Sequence, residues 1–399
     1  KATLTSAGQA VAKVNDGTAS FSVSGNAVVG QTLTAVKSQS DPDGDGVVTY
    51  QWQSISNGGK SWNPITSATG SSYQVVVNDQ GNQLRAVVSY TDGQGFPTSV
   101  VSLNATAPVP DTIPPTVSDI SVNGNQVVVT FSEKIQAIAP ITSPFAIKVA
   151  GVSRKITSLQ FDSTSGLKLT FNLSGAAPSA NQSLTLSTTG SPVIKDLAGN
   201  ALGAISNAPA TTFVASSSIS SLAADYFNLL LAGNASIDAV GNSKNNTIVG
   251  NSGANVLSGG AGADSLTGGL GSDRFVYNQL SDSFLGTPGA YGFDRITDFA
   301  IGSDQLDGPT TLGASQIKKL GAVASLEPAL LSAFLKGKDP QANAPTFAAN
   351  GAALFSFPAP GQTRTFLALN DATQGFDASK DAIIEITGYT GDLNNLTIA

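Results

Sequence analysis

From Gly241 the chain can be written in nines: GNSKNNTIV, GNSGANVLS, GGAGADSLT and GGLGSDRFV. The eighth position is apolar in each (Ile248, Leu257, Leu266, Phe275), and the sixth carries a side-chain oxygen (Asn246, Asn255, Asp264, Asp273). A glycine-rich linker has no reason to keep either position in phase. A six-residue turn followed by a three-residue strand makes half a coil. Two nonapeptides close one coil, and stacked coils bring the eighth-position side chains into an interior column. Strands this short hold only when the stack is stabilised collectively. Glycines at positions one, two and four allow positive φ and leave carbonyl oxygens exposed. Oxygens from turns stacked two repeats apart can then surround a hard cation. Ca2+, which takes about 6–8 oxygens at roughly 2.3–2.6 Å, suits such a cage better than Mg2+, which demands a tighter and wetter octahedron.

Composition removes most alternatives. The 399 residues contain no Cys, Met or His. Ser-His-Asp triads, His-ligated zinc, thiolate sites and disulfides are therefore excluded. A secreted chain without disulfides needs another source of stability, and bound metal is one. Net charge −7 and a pI near 4.6 argue against nucleic acid as a partner. Glu133, Glu327 and Glu385 are the only glutamates, and every other acid is Asp. Asp suits turns and tight oxygen cages, so few helices are expected. No stretch reaches the ~18 apolar residues of a membrane span. No signal peptide is visible, and the chain reads as starting mid-domain.

Around the repeats, the chain punctuates itself. Residues 1–14 read as the last strand of a preceding repeat, ahead of the turn signal Asn15-Asp16-Gly17. Residues 15–107 alternate strand and turn with period two, as in an antiparallel sandwich. In TYQWQ, Tyr50 and Trp52 face one way, which fits a core aromatic better than a ligand-stacking one. Residues 108–115 form a Pro-rich linker. Residues 116–215 repeat the all-β texture, with a hairpin turn at Asn123-Gly124. A polar hinge spans 216–225, the roll and its cap span 226–310, and a further region spans 311–399. In that last region, helical periodicity runs over 315–336, interrupted at Pro328, and strands follow in ALFSF, TRTFLALN and AIIEITGY.

Several stretches resemble known families. The nonapeptides closely resemble the RTX (repeats-in-toxin) parallel β-roll, and GFDRITDFAIGSDQLD (292–307) resembles the segment that closes such rolls. VVGQTLTAV, TYQWQS, GGKSW, ATGSSYQVV and VVSYTDGQG resemble bacterial Ig-like repeats of large surface adhesins. VVVTFSEKI and VIKDLAGNAL resemble an Ig-like repeat of very large cyanobacterial surface proteins. RTFLALNDATQGFDASKDAIIEITGY resembles the "bluetail" C-terminal domain of cyanobacterial repeat proteins. The expected fold is all-β: two Ig-like β-sandwiches, then a calcium-binding parallel β-roll, then a β-rich C-terminal cap containing a short helix.

The RTX resemblance implies Ca2+ as cofactor, with ligands from positions two, four and six. Those are Gly260, Gly262 and Asp264; Gly269, Gly271 and Asp273; Asn251, Gly253 and Asn255; and Asn246 in the first repeat. Asn246 and Asn255 depart from the pattern and bring no charge, which should weaken their sites, and Lys244 at position four sets the first turn further apart. In the closing segment Phe293, Ile296, Phe299, Ile301 and Leu306 would cap the apolar column. Asp294, Asp298, Asp304 and Asp307 either bind a further ion or solvate the cap. A separate D-x-D-x-D-G run, Asp41, Asp43 and Asp45, starts like a calcium loop, but Trp52 stands where an EF-hand needs Glu. It is either a Ca2+ site or a solvated turn.

The resemblances together imply a non-catalytic, secreted protein of the cell surface, adhesin or surface-layer lattice, exported by the type I secretion machinery and folded by Ca2+. Its expected partners are calcium ions together with surface polysaccharide, neighbouring copies or another cell, and no nucleic acid. The alternative is the export and folding module of a secreted RTX hydrolase or toxin whose catalytic domain lies upstream.

Overall fold

The computed structural model describes residues 13–56, 59–136, 145–188, 194–287, 290–335 and 347–399. They divide into two compact units: Lys1–Pro114 with Leu197–Asn200, and Pro115–Asp196 with Ala201–Ala399. The strand expected in residues 1–14 falls almost wholly outside the described residues.

The first unit is an antiparallel sandwich. One sheet contains Ser20–Ser24, Thr32–Gln39 and Ser72–Gln74; the other contains Asn63–Pro64, Thr49–Ser56, Asn82–Thr91 and Pro97–Val101. Period-two alternation drives the packing. In Asn82–Thr91, Leu84, Ala86 and Val88 are fully buried, while Arg85, Val87 and Ser89 between them are not. Trp52 is 0% exposed, stacks on Tyr73 at 5.7 Å and donates its indole N–H to the Gly70 carbonyl at 3.0 Å. With its polar end satisfied inside, it is a core residue.

The second unit is organised by one 13-stranded sheet. It begins with the antiparallel strands Ile156–Phe161, Lys168–Leu173, Gln126–Phe131 and Val117–Asn123 of a second sandwich. It continues in parallel through Thr212–Ala215, Asn228–Leu231, Thr247–Val249, Ser265–Thr267, Asp294–Ile296 and Ala382–Glu385. It ends with Gln362–Leu369, Ala352–Ala359 and Ile317–Ala322. The other sheet of the sandwich is Val152–Arg154, Phe145–Val149, Leu184–Thr188 and Ala208–Pro209.

The repeats form a parallel β-roll. Its second ladder is Asp238–Val240, Val256–Ser258, Arg274–Val276 and Gln305–Asp307. The register pairs Ile248 with Leu266 and Leu257 with Phe275, so every coil is two nonapeptides. The interior column extends beyond the repeats: Leu229 and Ala239 lie at one end, Ile296 and Leu306 at the other, and all eight side chains are 0% exposed. Open roll ends would present unpaired strand edges. Here Thr212–Ala215 and Ala382–Glu385 pair with the end strands of one ladder, and bridges from Ile219 to Ala239 and from Ile398 to Leu306 cover the other.

Two details depart from the sequence reading. Phe293 was expected in the column, but it packs edge-on against Phe366 at 5.3 Å in a separate apolar cluster. It lies three residues from Ile296, so strand alternation puts it on the opposite face. Phe299 does join the column, edge-on to Phe275 at 5.9 Å. The helical periodicity over 315–336 resolves into a strand, Ile317–Ala322, and one helix, Pro328–Leu335. Proline starts a helix well, having no N–H to leave unpaired in the first turn. Pairing with Ala352–Ala359 captures the preceding segment as strand. Among the described residues no helix is long and apolar enough to cross a membrane.

Truncating the column should be costly, because its neighbours are held by the ladders and cannot collapse into the gap. Leu266→Ala is expected to destabilise the second unit by about 2–5 kcal/mol, measured by denaturant unfolding in excess Ca2+.

Candidate calcium site

The turns of the roll stack on two sides. On one side lie the turns ending at Asn246, Asp264 and Asp294; on the other, those ending at Asn255, Asp273 and Asp304. A hydrogen-bond ladder ties them together. The Asn246 N–H donates to Asp264 Oδ1 at 2.7 Å, and the Asp264 N–H to Asp294 Oδ1 at 2.8 Å. Opposite, the Asn255 N–H donates to Asp273 Oδ1 at 2.8 Å, and the Asp273 N–H to Asp304 Oδ1 at 3.0 Å. Each sixth-position aspartate thereby spends one oxygen on the neighbouring coil.

The other oxygen is what marks the site. Asp264, Asp273 and Asp294 are at most 2% exposed, and the Oδ2 of each is buried without a hydrogen-bond partner among the described residues. An unpartnered buried carboxylate oxygen is expensive unless a cation or a proton meets it. Burial pushes the Asp264 carboxyl up to about 7. Burial, reinforced by the charge of Asp264, pushes Asp294 up to about 9. Burial also raises Asp273 and Asp304. The hydroxyl of fully buried Tyr277 is raised well above its ordinary value, first by burial and then by Asp294 and Asp264. A bound divalent cation would reverse this balance by favouring the ionised carboxylates.

The backbone supports the same reading. Gly260 and Gly269 have φ of +91° and +95°, and a Cβ there would lie 2.6 Å from the Asn242 oxygen and 2.4 Å from the Asn251 oxygen. Only glycine permits that approach. Gly262 and Gly271 repeat the arrangement over Lys244 and Gly253. The residues present therefore fit a hard, oxygen-seeking ion. Asp264 and Asp273 supply charge, Asp294 adds a third carboxylate, and the glycine turns supply carbonyls.

The first coil is built differently. Asn246 and Asn255 turn their Oδ1 atoms to the N–H groups of Asn242 and Asn251, each at 2.8 Å. Asn242 Nδ2 donates to the Ala223 and Tyr226 carbonyls, both at 2.9 Å, and Asn251 Nδ2 donates to those of Ala232 and Ala235 at 3.3 and 3.0 Å. Asn255 Nδ2 reaches the Ile237 carbonyl at 2.9 Å. Amide N–H groups thus meet carbonyls that would otherwise need a cation. Lys244 carries its ammonium over the Phe227 ring at 4.6 Å.

The closing acids divide. Asp294 joins the buried carboxylates. Asp298 accepts the Gly268 and Gly269 N–H groups, both at 2.8 Å, and the second oxygen of Asp304 accepts the Ala300 N–H at 2.8 Å. Asp307 pairs with Arg274 through one oxygen, while its Oδ1 is buried without a hydrogen-bond partner among the described residues. Of the acids in the first unit, Asp45 pairs with Lys37 and accepts the Asp41 N–H. Asp41 and Asp43 lie instead with Asp92, which the D-x-D-x-D-G spacing could not reveal. The sequence signal for Asp92 was only the turn in VVSYTDGQG.

Residues 240–275 match the family of RTX calcium-binding nonapeptide repeats, in four copies. No curated protein matches the chain. Among solved structures, it is similar to the N-terminal part of the bacterial S-layer protein SbsC at 24% identity and TM-score 0.21, over 23% of this chain and 22% of that one. A longer SbsC fragment, residues 31–844, matches at 23% identity and TM-score 0.21, over 25% and 13% of the two chains. The chain thus spans less than a quarter of either structure, and likeness at this TM-score establishes nothing about its fold or role.

Three outcomes are expected. Asp264→Asn should lower calcium affinity about tenfold or more in titration calorimetry, because ligand charge sets affinity. In chelator it should instead stabilise the second unit, since a buried unpaired charge is removed. The metal-free protein should also lose stability as pH rises from the ordinary aspartate range near 3.8 through about 7 and on towards 9. The folded state holds protons there that the unfolded state has released. Far-ultraviolet circular dichroism in chelator measures this, the β signal of the second unit being present at about pH 4 and falling away as pH rises.

Proposed function

We propose that the chain is part of a calcium-folded structural protein of the bacterial cell surface, of the adhesin or surface-layer kind, exported by type I secretion. The observation that carries this reading is the set of three buried, unpartnered carboxylate oxygens on Asp264, Asp273 and Asp294, set within or beside nonapeptides that match the RTX repeat. Where calcium is scarce, as in the cytosol, their desolvation, together with repulsion between Asp264 and Asp294 on one side and between Asp273 and Asp304 on the other, disfavours the roll, and an unfolded chain can thread an export channel. Where calcium is abundant, ion binding becomes folding free energy.

The role is structural rather than catalytic, with the sandwiches acting as spacers and the C-terminal layer, within 311–399, belonging to the region that carries the export signal. Surface polysaccharide, neighbouring copies or another cell are the partners such a protein would meet. The roll shares its main sheet with the second sandwich and the C-terminal layer. Calcium is therefore expected to govern the whole second unit and not the repeats alone. At neutral pH and above, excess chelator should collapse the β signal of that unit in far-ultraviolet circular dichroism, and calcium should restore it. An unchanged spectrum in chelator would sink the proposal.

A further inference from the structure

A second cluster of buried acids lies far from the repeats in sequence, at one end of the first sandwich. One carboxylate oxygen from each of Asp41, Asp43 and Asp92 falls within 4.8 Å of the others. Asp41 is 3% exposed and Asp92 5%. Asp41 accepts the Tyr90 hydroxyl at 2.8 Å on one oxygen and the Asp43 N–H at 2.9 Å on the other. Asp43 accepts the Gln94 amide and the Asp16 N–H, both at 2.7 Å. Asp92 Oδ1 accepts the N–H groups of Gln94 at 2.9 Å and Phe96 at 2.8 Å, and its Oδ2 is buried with no hydrogen-bond partner among the described residues.

Among the described residues no lysine or arginine pairs with these three carboxylates. Lys37, on the strand Thr32–Gln39 that leads into the 41–45 loop, is taken by Asp45. Lys13 donates to the Gln94 carbonyl at 2.7 Å. The two loops are nonetheless held together: the Gly93 N–H reaches the carbonyls of Asp43 and Gly44, both at 3.1 Å, and a Cβ on Gly93 would lie 2.3 Å from the Asp43 oxygen. Hydrogen bonds alone thus bring like charges together in a largely buried place and leave one oxygen unanswered. Such an arrangement calls for a cation.

We propose that Asp41, Asp43 and Asp92 form a calcium site in the first sandwich, independent of the repeats. The donors are all oxygens and all anionic, which selects a hard divalent ion, and the partly exposed Asp43 leaves access for the waters that complete a calcium shell. The ion ties the 41–45 loop to the 92–96 loop, and through Asp43 to the chain at Asp16. Asp45 takes no part, being committed to Lys37.

Both tryptophans of the chain, Trp52 and Trp62, lie in the first unit, so intrinsic tryptophan fluorescence of the full chain reports that unit alone. The thermal midpoint read by this signal is expected to rise by several degrees in Ca2+ relative to chelator. The rise should be lost in Asp92→Asn and in Asp43→Asn, and kept in Asp264→Asn and Asp273→Asn. Asp92→Asn retains an oxygen for the Gln94 and Phe96 N–H groups and removes only the charge, and equilibrium dialysis should find it binding one calcium fewer per chain. The proposal is overturned if the tryptophan-detected midpoint is the same in Ca2+ and chelator, whatever circular dichroism shows for the roll. It is equally overturned if the rise survives intact in Asp92→Asn and Asp43→Asn, if the roll variants abolish it, or if Mg2+ produces it and Ca2+ does not.

Discussion

Stacked turns bring the Oδ2 atoms of Asp264, Asp273 and Asp294 into the protein with nothing to receive them. Glycine makes this possible, since backbone lies directly on backbone at Gly260 and Gly269. The same closeness that builds the cage also desolvates the acids, so a cation and the stack depend on each other. Three-residue strands add little stability alone, and the apolar column they enclose exists only while the turns hold register. The column, the ladders and the end caps all depend on how that buried negative charge is balanced.

Position along the stack decides how it is balanced. At the first coil, asparagine amides donate to the carbonyls of the chain beneath, so polar groups are satisfied from within. One coil on, carboxylates replace amides and the demand passes to an ion. The Asn positions are therefore more than poor copies of a calcium turn. They form a junction between a coil built like an ordinary hydrogen-bonded solenoid and one built around charge. Beyond it, Thr212–Ala215 and Ala382–Glu385 extend the main sheet at either end, joining roll, sandwich and C-terminal layer through backbone hydrogen bonds. A charge imbalance in a few turns is thus linked to a much larger body of β-structure.

Much of this was legible beforehand, and the reasons differ by element. The roll could be read because its period is strict and local: Ile248, Leu257, Leu266 and Phe275 recur every nine residues. Asp264 and Asp273 followed from the same phase. Asp294 was legible as an acid of the closing segment, but not as a buried partner of Asp264, because an insertion between Tyr277 and Phe293 breaks the period. Phe293 was misplaced for the same reason. Ile317–Ala322 resembles part of an amphipathic helix in sequence, yet the free edge of Ala352–Ala359 claims it as strand.

The sequence by itself determined the repeat, the all-β character, the oxygen-only chemistry and the exclusion of histidine and thiol sites, because these depend on residue type and short-range spacing. Tertiary structure alone decided which oxygens go unpartnered, which acids are neutralised by N–H groups, and that Asp92 rather than Asp45 meets Asp41 and Asp43. Burial and pairing are properties of what lies across the fold. Asp41 and Asp92 sit on loops whose encounter is set by sheet register, which no window of neighbouring residues contains.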